Sequence, residues 1–215
     1  MSILSSAFAL TAFSALLTKM PVFSSAYFPS LAYLRAVFQS GEMELDLHEY
    51  FVKQSIRTRA EILSANGVIQ LNVPIEHSES GKQTMREVKI DHSKNWQPEH
   101  WRAITSAYAN APYFEHYAHD LQGIFAKQPI YVHELNALIL DWLNDALALD
   151  IKIKMSEAYT GQTSAQKKEW LGRAENATTA YQQVFGYKTA FVPNLSILDG
   201  LMNEGPLIRT RFLPR

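Results

Sequence analysis

Residues Val22 to Leu47, VFSSAYFPSLAYLRAVFQSGEMELDL, decide the fold. Val22 to Ala26 is a short apolar run of strand length. Pro29 to Gln39 follows, with Leu31, Leu34 and Val37-Phe38 recurring at helical spacing. Met43 to Leu47 alternates apolar and acidic residues, which predicts a second strand. Strand, helix and strand in so short a span form the unit that builds a parallel sheet, because parallel strands need a crossover connection.

Outward from this unit, Arg57 to Ile75 predicts a hairpin. Arg59 to Leu63 and Val68 to Ile75 alternate around Asn66-Gly67, a type I′ turn signal. His77 to Arg86 is polar and contains Gly81, so it reads as a loop before a short strand at Glu87 to Ile90. Helices dominate after residue 97: Glu99 to Asn110, Pro112 to Phe125 and His133 to Leu149 all repeat apolar residues at helical spacing. Ile151 to Met155 alternates as a strand. Thr160 to Thr179 reads as a mobile loop holding a short helix at Gln166 to Leu171. Near the C-terminus, Pro193-Asn194-Leu195-Ser196 turns into a short apolar helix capped by Ser196 and stopped by Gly205-Pro206. The fold class expected is α/β: a small, partly parallel sheet with an antiparallel hairpin, covered by helices mainly from the second half. An all-helical fold is the alternative.

The chain has 215 residues, enough for one domain with a sizeable core. Apolar residues make up 47% and charged residues 19%, the balance of a globular protein. Its 20 basic and 21 acidic residues argue against a nucleic-acid partner, which calls for a basic surplus. With no cysteine, disulfides, thiolate zinc sites and a cysteine nucleophile are excluded. Residues 1–19 are apolar up to Leu17 and carry no charge before Lys19. They lack the basic start of a secretory signal and the length of a stable membrane span, so they read as an extra segment ahead of a single domain over 20–215.

Four groups of residues could carry chemistry. Ser24 to Ser30 leads from the first strand into a helix N-terminus, where free N–H groups suit an anion. The same residues also read as a proline-stiffened turn, and no glycine-rich phosphate loop is present. Next comes Asp46-Leu47-His48-Glu49-Tyr50, then Lys53-Gln54-Ser55-Ile56-Arg57-Thr58-Arg59. In an extended chain Arg57 and Arg59 project from one face, as paired forks for phosphate or carboxylate. Asp46 and His48 share a strand face, the minimum for an acid–base pair. The alternative is an edge strand whose charges face water.

The third group is Trp96-x-x-x-His100-Trp101 with Tyr108. There His100 is a candidate base and Trp101 or Tyr108 a stacking wall, unless the set is an aromatic helix with a core histidine. The fourth is the C-terminal run, where Tyr181 and Gln183 alternate on an extended segment and Asn194 precedes the Ser196 cap. It reads as a pocket wall or as plain packing. His116-x-x-His119 with Asp120 has metal-ligand spacing but no third ligand motif, so no metal site is expected, and no cofactor motif is present.

These motifs together resemble the WbqC-like family. The likeness runs from about Pro21 to Pro206. It takes in Ala26-Tyr27-Phe28-Pro29, His48-x-Tyr50-x-x-Lys53-Gln54-Ser55-x-Arg57-x-Arg59, Trp96-x-x-x-His100-Trp101, Pro112-Tyr113-Phe114, Tyr181-x-Gln183-Val184-Phe185 and Pro193-Asn194-Leu195-Ser196. Where the family pattern has Arg-Asn-Arg, this chain has Arg57-Thr58-Arg59. The resemblance implies a role in bacterial surface-polysaccharide (O-antigen-type) synthesis, as a group transferase acting on a nucleotide-sugar or related activated sugar in the cytoplasm. In that reading His100, His48 and Asp46 are the catalytic candidates. Tyr27, Gln54, Arg57, Arg59, Trp101, Tyr108, Tyr181, Gln183 and Asn194 bind substrate. A non-catalytic glycan-precursor-binding or scaffold protein is the alternative.

Overall fold

The computed structural model describes residues 20–77, 81–161 and 180–212. The extra N-terminal segment read at 1–19, and nearly all of the loop read at 160–179 with its short helix, lie outside these residues. Three parallel strands form one sheet in the order β1 (Val22–Phe23), β2 (Glu42–Leu45) and β5 (Lys152–Met155). A separate antiparallel hairpin joins β3 (Arg59–Ser64) to β4 (Gly67–Asn72). Helix α1 (Leu31–Ser40) makes the crossover from β1 to β2. Helices α2 (Trp96–Tyr108), α3 (Phe114–Ala126), α4 (Val132–Leu147) and α5 (Ile197–Glu204) come from the second half. This is the α/β architecture expected from the opening strand–helix–strand unit.

Helix α1 forms where local chemistry starts and stops it. The Ser30 side chain accepts the Tyr33 N–H at the start. At the end Gly41 takes a left-handed φ of 70°, and its N–H returns to the Val37 and Phe38 carbonyls. Leu31, Ala32, Tyr33, Leu34, Ala36 and Val37 are all buried, so the helix sits inside the core rather than on it.

Strand β2 buries Met43 and Leu45 and turns Glu42 and Glu44 to the other face. The parallel register sets Glu42 opposite Lys152 and Glu44 opposite Lys154. The outer face of the sheet is therefore a ladder of opposite charges, which suits a face in contact with water. The inner face joins one core with Ile62 and Leu71 of the hairpin, Ile104, Leu121, Leu135 and Ile139 of the helices, and Leu198 and Leu201 of α5.

Three local expectations are corrected. The hairpin pairs Ser64 with Gly67, so Ala65 and Asn66 make the loop and only Gly67 of the three has a positive φ, at 110°. A type I′ turn needs positive φ at both central residues, and the Cβ of Ala65 resists it. Strand β4 stops at Asn72 instead of Ile75, since Pro74 has no N–H to donate. The strand expected at Glu87 to Ile90 is a 3₁₀ turn, Met85–Glu87, followed by single bridges from Lys89 to Tyr131 and from Ile90 to Ile75. The Glu87 carboxylate accepts the Thr84 N–H at 2.8 Å and closes that turn.

Helix α5 stops at Gly205, as the sequence predicts, and the chain continues. It tightens into a 3₁₀ segment, Gly205–Phe212, folded against α5. Gly200 makes this contact possible, because a Cβ there would lie 2.7 Å from Ile208 Cγ1. Arg211 then pairs with Glu204 and donates to the Ala180 carbonyl at 2.9 Å.

Candidate functional site

All three parallel strands run in one direction, so their carboxyl ends share one edge. The chain leaving β1 brings Ser24 and Ser25 there, the chain leaving β2 brings Asp46, His48 and Glu49, and the chain leaving β5 brings Ser156 and Thr160. Ser24, Ser25, Asp46, Glu49 and Ser156 are buried. Buried polar groups are nearly always hydrogen-bonded. Arg57 supplies much of that bonding. Its Nε donates to Glu49 Oε1 at 3.0 Å and its Nη2 lies 2.7 Å from the same oxygen. Nη2 also donates to Ser24 Oγ at 3.0 Å, and Nη1 to Ser55 Oγ at 3.2 Å. Ser24 Oγ lies 3.3 Å from Glu49 Oε2, the acceptor for its proton. The side chains of Arg57 and Glu49 keep 9% and 8% exposure.

Helix α4 adds Asn136 to this edge. Its Nδ2 donates to Ser25 Oγ and to the Arg57 carbonyl, both at 2.9 Å. A carbonyl can only accept, so the amide nitrogen must face Arg57 and the orientation of Asn136 is fixed. Its Oδ1 is left buried with no hydrogen-bond partner, and so is His48 Nε2.

Asp46 is fully buried and well supplied with donors. Its Oδ1 accepts the His48 N–H at 3.0 Å and its Oδ2 accepts the Thr160 hydroxyl at 2.7 Å. The Thr160 N–H, at 3.3 Å, adds a further bond. Asp46 thus ties the end of β2 to the segment leaving β5.

The helix N-terminus beside this edge offers nothing to an anion. The Leu31 N–H donates to the Leu195 carbonyl at 3.0 Å, and the Ala32 N–H to Asn194 Oδ1 at 3.0 Å. Ser30 takes the Tyr33 and Leu34 N–H groups through its side chain and carbonyl. The C-terminal run therefore caps α1 from a distance, and Asn194 does so with a left-handed φ of 55°.

His100 sits in a buried aromatic group with Tyr27, Trp96 and Phe125. Its Nδ1 lies 2.7 Å from the Tyr27 hydroxyl, and the Asn72 backbone carbonyl bonds the ring as well. A carbonyl needs an N–H, so Nδ1 accepts from Tyr27. Burial pushes the His100 pKa down to about 4, against a small opposing effect of the Asn72 carbonyl. The imidazole is neutral at pH 7, and Nδ1 is engaged by Tyr27.

Tyr108, Tyr181 and Gln183 meet at a residue the sequence reading did not assign a role. Asp199 accepts the Tyr108 hydroxyl at 3.0 Å, the Tyr181 hydroxyl at 2.5 Å and Gln183 Nε2 at 2.8 Å. Burial raises the Asp199 pKa, and the three donors oppose that rise. Gln183 also pairs both ways with the Val192 backbone at 2.9 Å, which fastens Tyr181 to Gln183 against the segment before Asn194.

The remaining expected residues lie apart from these groups. Arg57 and Arg59 do not share a strand face, because Arg57 lies in the turn before β3 and points into the Glu49 pair. Arg59 opens β3 opposite Asn72. Gln54 is exposed in a turn with a left-handed φ of 56°. Trp101 is half-buried and stacks on Phe114 at 5.9 Å between ring centres. Among the described residues no group of three or more His, Cys, Asp or Glu could hold a metal ion. Asp120 of the His116-x-x-His119 stretch accepts the Trp142 indole N–H at 3.2 Å.

Sequence reasoning missed Asn136 and gave Glu49 and Asp199 no role. Asn136 and Asp199 could have been flagged as polar residues in the apolar face of a helix, beside Leu135 and Ile139 and beside Leu198 and Leu201. Glu49 carried no such signal.

Fold and edge together define an α/β protein with a three-stranded parallel sheet and a buried, hydrogen-bonded polar cluster behind its carboxyl ends. The chain belongs to the WbqC-like protein family, whose model matches residues 24–180. It is similar to the uncharacterised protein Rv1507c of Mycobacterium tuberculosis, at 24% identity over 218 residues that cover 87% of this chain and 94% of that protein. No solved structure matches the chain significantly. Among the described residues no helix is long and apolar enough to cross a membrane.

Proposed function

We propose that the protein works in bacterial surface-polysaccharide synthesis and transfers a group to or from an activated sugar at the carboxyl edge of the parallel sheet. The observation that carries this reading is the convergence of Ser24, Ser25, Asp46, His48, Glu49 and Thr160 behind three parallel strands. Open α/β sheets bind their ligands there. Family membership supports the glycan part of the reading. In this reading His48 is the acid–base group, since its buried Nε2 has no hydrogen-bond partner among the described residues. Asp46 fixes the turn that carries it. Arg57 positions Glu49 and Ser24 rather than clamping an anion. The substrate is a small molecule of the nucleotide-sugar class, and the compartment is the cytoplasm.

A second reading, a protein that binds a glycan precursor without turning it over, is favoured by one observation: Asp46, Arg57 and His100 all spend their bonds inside the protein. One experiment separates the two. The full chain is screened by thermal shift against nucleotide-sugars, and each stabilising compound is followed by mass spectrometry with and without an acceptor glycan. The transferase reading expects stabilisation and turnover, with His48→Gln lowering turnover about 10²–10⁴-fold at unchanged melting temperature. Stabilisation without turnover supports the binding protein. If no nucleotide-sugar raises the melting temperature, both readings fall.

A further inference from the structure

We infer that the Ser25–Asn136 pair behind the parallel sheet is a subsite for the hydroxyl or amino groups of a sugar ring, and that phosphate is not bound there. The inference rests on the proposed activated-sugar reading and deepens it. Three observations carry it.

Asn136 is 3% exposed and its orientation is fixed by the Arg57 carbonyl, yet its Oδ1 has no hydrogen-bond partner. Such an acceptor calls for an O–H or N–H donor, because an unmet buried carbonyl is costly. Ser25 stands beside it. Its Oγ accepts from Asn136 and keeps its own hydroxyl hydrogen to give. One acceptor and one donor side by side match a sugar hydroxyl, or two neighbouring ones.

Charge gives the second part. The buried edge holds two carboxylates, Asp46 and Glu49, against one guanidinium, Arg57, and that guanidinium is already bonded to Glu49, Ser24 and Ser55. Among the described residues, a phosphate placed there would meet two carboxylates and a guanidinium already bonded to one of them. A neutral or amino-bearing ring meets no such penalty. The Arg57 and Glu49 side chains keep 9% and 8% exposure, and the Arg57 carbonyl accepts from Asn136.

The test uses the full chain and calorimetry. Probes are UDP-glucose, UDP-N-acetylglucosamine and dTDP-glucose, their nucleoside diphosphates, and analogues in which fluorine replaces one sugar hydroxyl at a time. Fluorine cannot donate a hydrogen bond. The inference expects the nucleoside diphosphate to bind at least tenfold more weakly than its sugar conjugate. It also expects one fluorinated position to lose about tenfold. Ser25→Ala should weaken the conjugate about five- to tenfold and leave the diphosphate unchanged. Asn136→Ala should do the same if it folds, and the fluorinated series decides on the unaltered protein if it does not. Equal binding of diphosphate and conjugate, or all fluorinated analogues within twofold of the parent, overturns the subsite and leaves Oδ1 to a structural water only. Absence of binding by every probe instead overturns the activated-sugar reading, and the subsite with it.

Discussion

A histidine buried against Tyr27 and Trp96 behaves differently from one in a cleft open to water. Between pH 6.5 and about 4 the unfolded chain takes up a proton at position 100 that the folded chain refuses. Stability from this group is therefore complete above pH 6.5 and falls as pH drops through that window. The loss is on the order of 2–4 kcal/mol. Urea unfolding from pH 7.5 to 4.5 should show the fall, and His100→Gln should flatten it. An unchanged slope in the variant would mean that other groups carry the acid sensitivity. The residue types of this core were legible in the sequence, for the aromatic spacing around His100 is helical and apolar. Its neutral state was not, because the burial that lowers its pKa comes from Tyr27, Phe125 and other residues that reach His100 only through the tertiary fold. Asp199 follows the same rule: Tyr108, Tyr181 and Gln183 could be picked out singly, while the carboxylate that gathers them lay inside an apolar helix.

At the scale of elements, capping is where local sequence and distant structure part. Ser30 and Gly41 start and stop α1 by local rules that can be read from the chain. Its second cap cannot, since Asn194 lies 162 residues from Ala32. Asn194→Ala removes that acceptor and places a Cβ-bearing residue of poor left-handed tolerance at a φ of 55°, so a loss of about 1–3 kcal/mol is expected. Asn194→Gly keeps the backbone easy and should lose less. Nucleotide-sugar affinity should be the same in both variants. Near-native denaturant stability with weakened affinity would instead return Asn194 to the binding residues. Element positions along the chain were largely legible, and the errors have local causes. Pro74 shortens β4, Ala65 moves the hairpin turn, and the Thr84–Glu87 closure replaces a strand with a 3₁₀ turn.

For the whole molecule, the opening strand–helix–strand unit made a parallel sheet legible, but the third strand's partner was not. Lys152–Met155 reads as a strand anywhere, and only the fold sets Lys152 beside Glu42 and Lys154 beside Glu44. The reading of residues 20–215 as one domain leads to a separate expectation. A chain beginning at Met20 should be monomeric, with a cooperative unfolding transition within a few kcal/mol of the full chain. Size-exclusion chromatography and thermal unfolding check it. Aggregation of the shortened chain would show that residues 1–19 cover core surface.

The cap that Asn194 and Leu195 place on α1 also orders events in time. A ribosome delivers the Ala32 amide 162 residues ahead of the Asn194 side chain that accepts it. Until then the Leu31 and Ala32 amides have no native partner, and the first strand–helix–strand unit emerges without its closing contact. The first helix therefore gains its closing contact only after residues 194 and 195 have left the exit tunnel, and a nascent protein stalled before residue 194 remains open to proteases at its first helix.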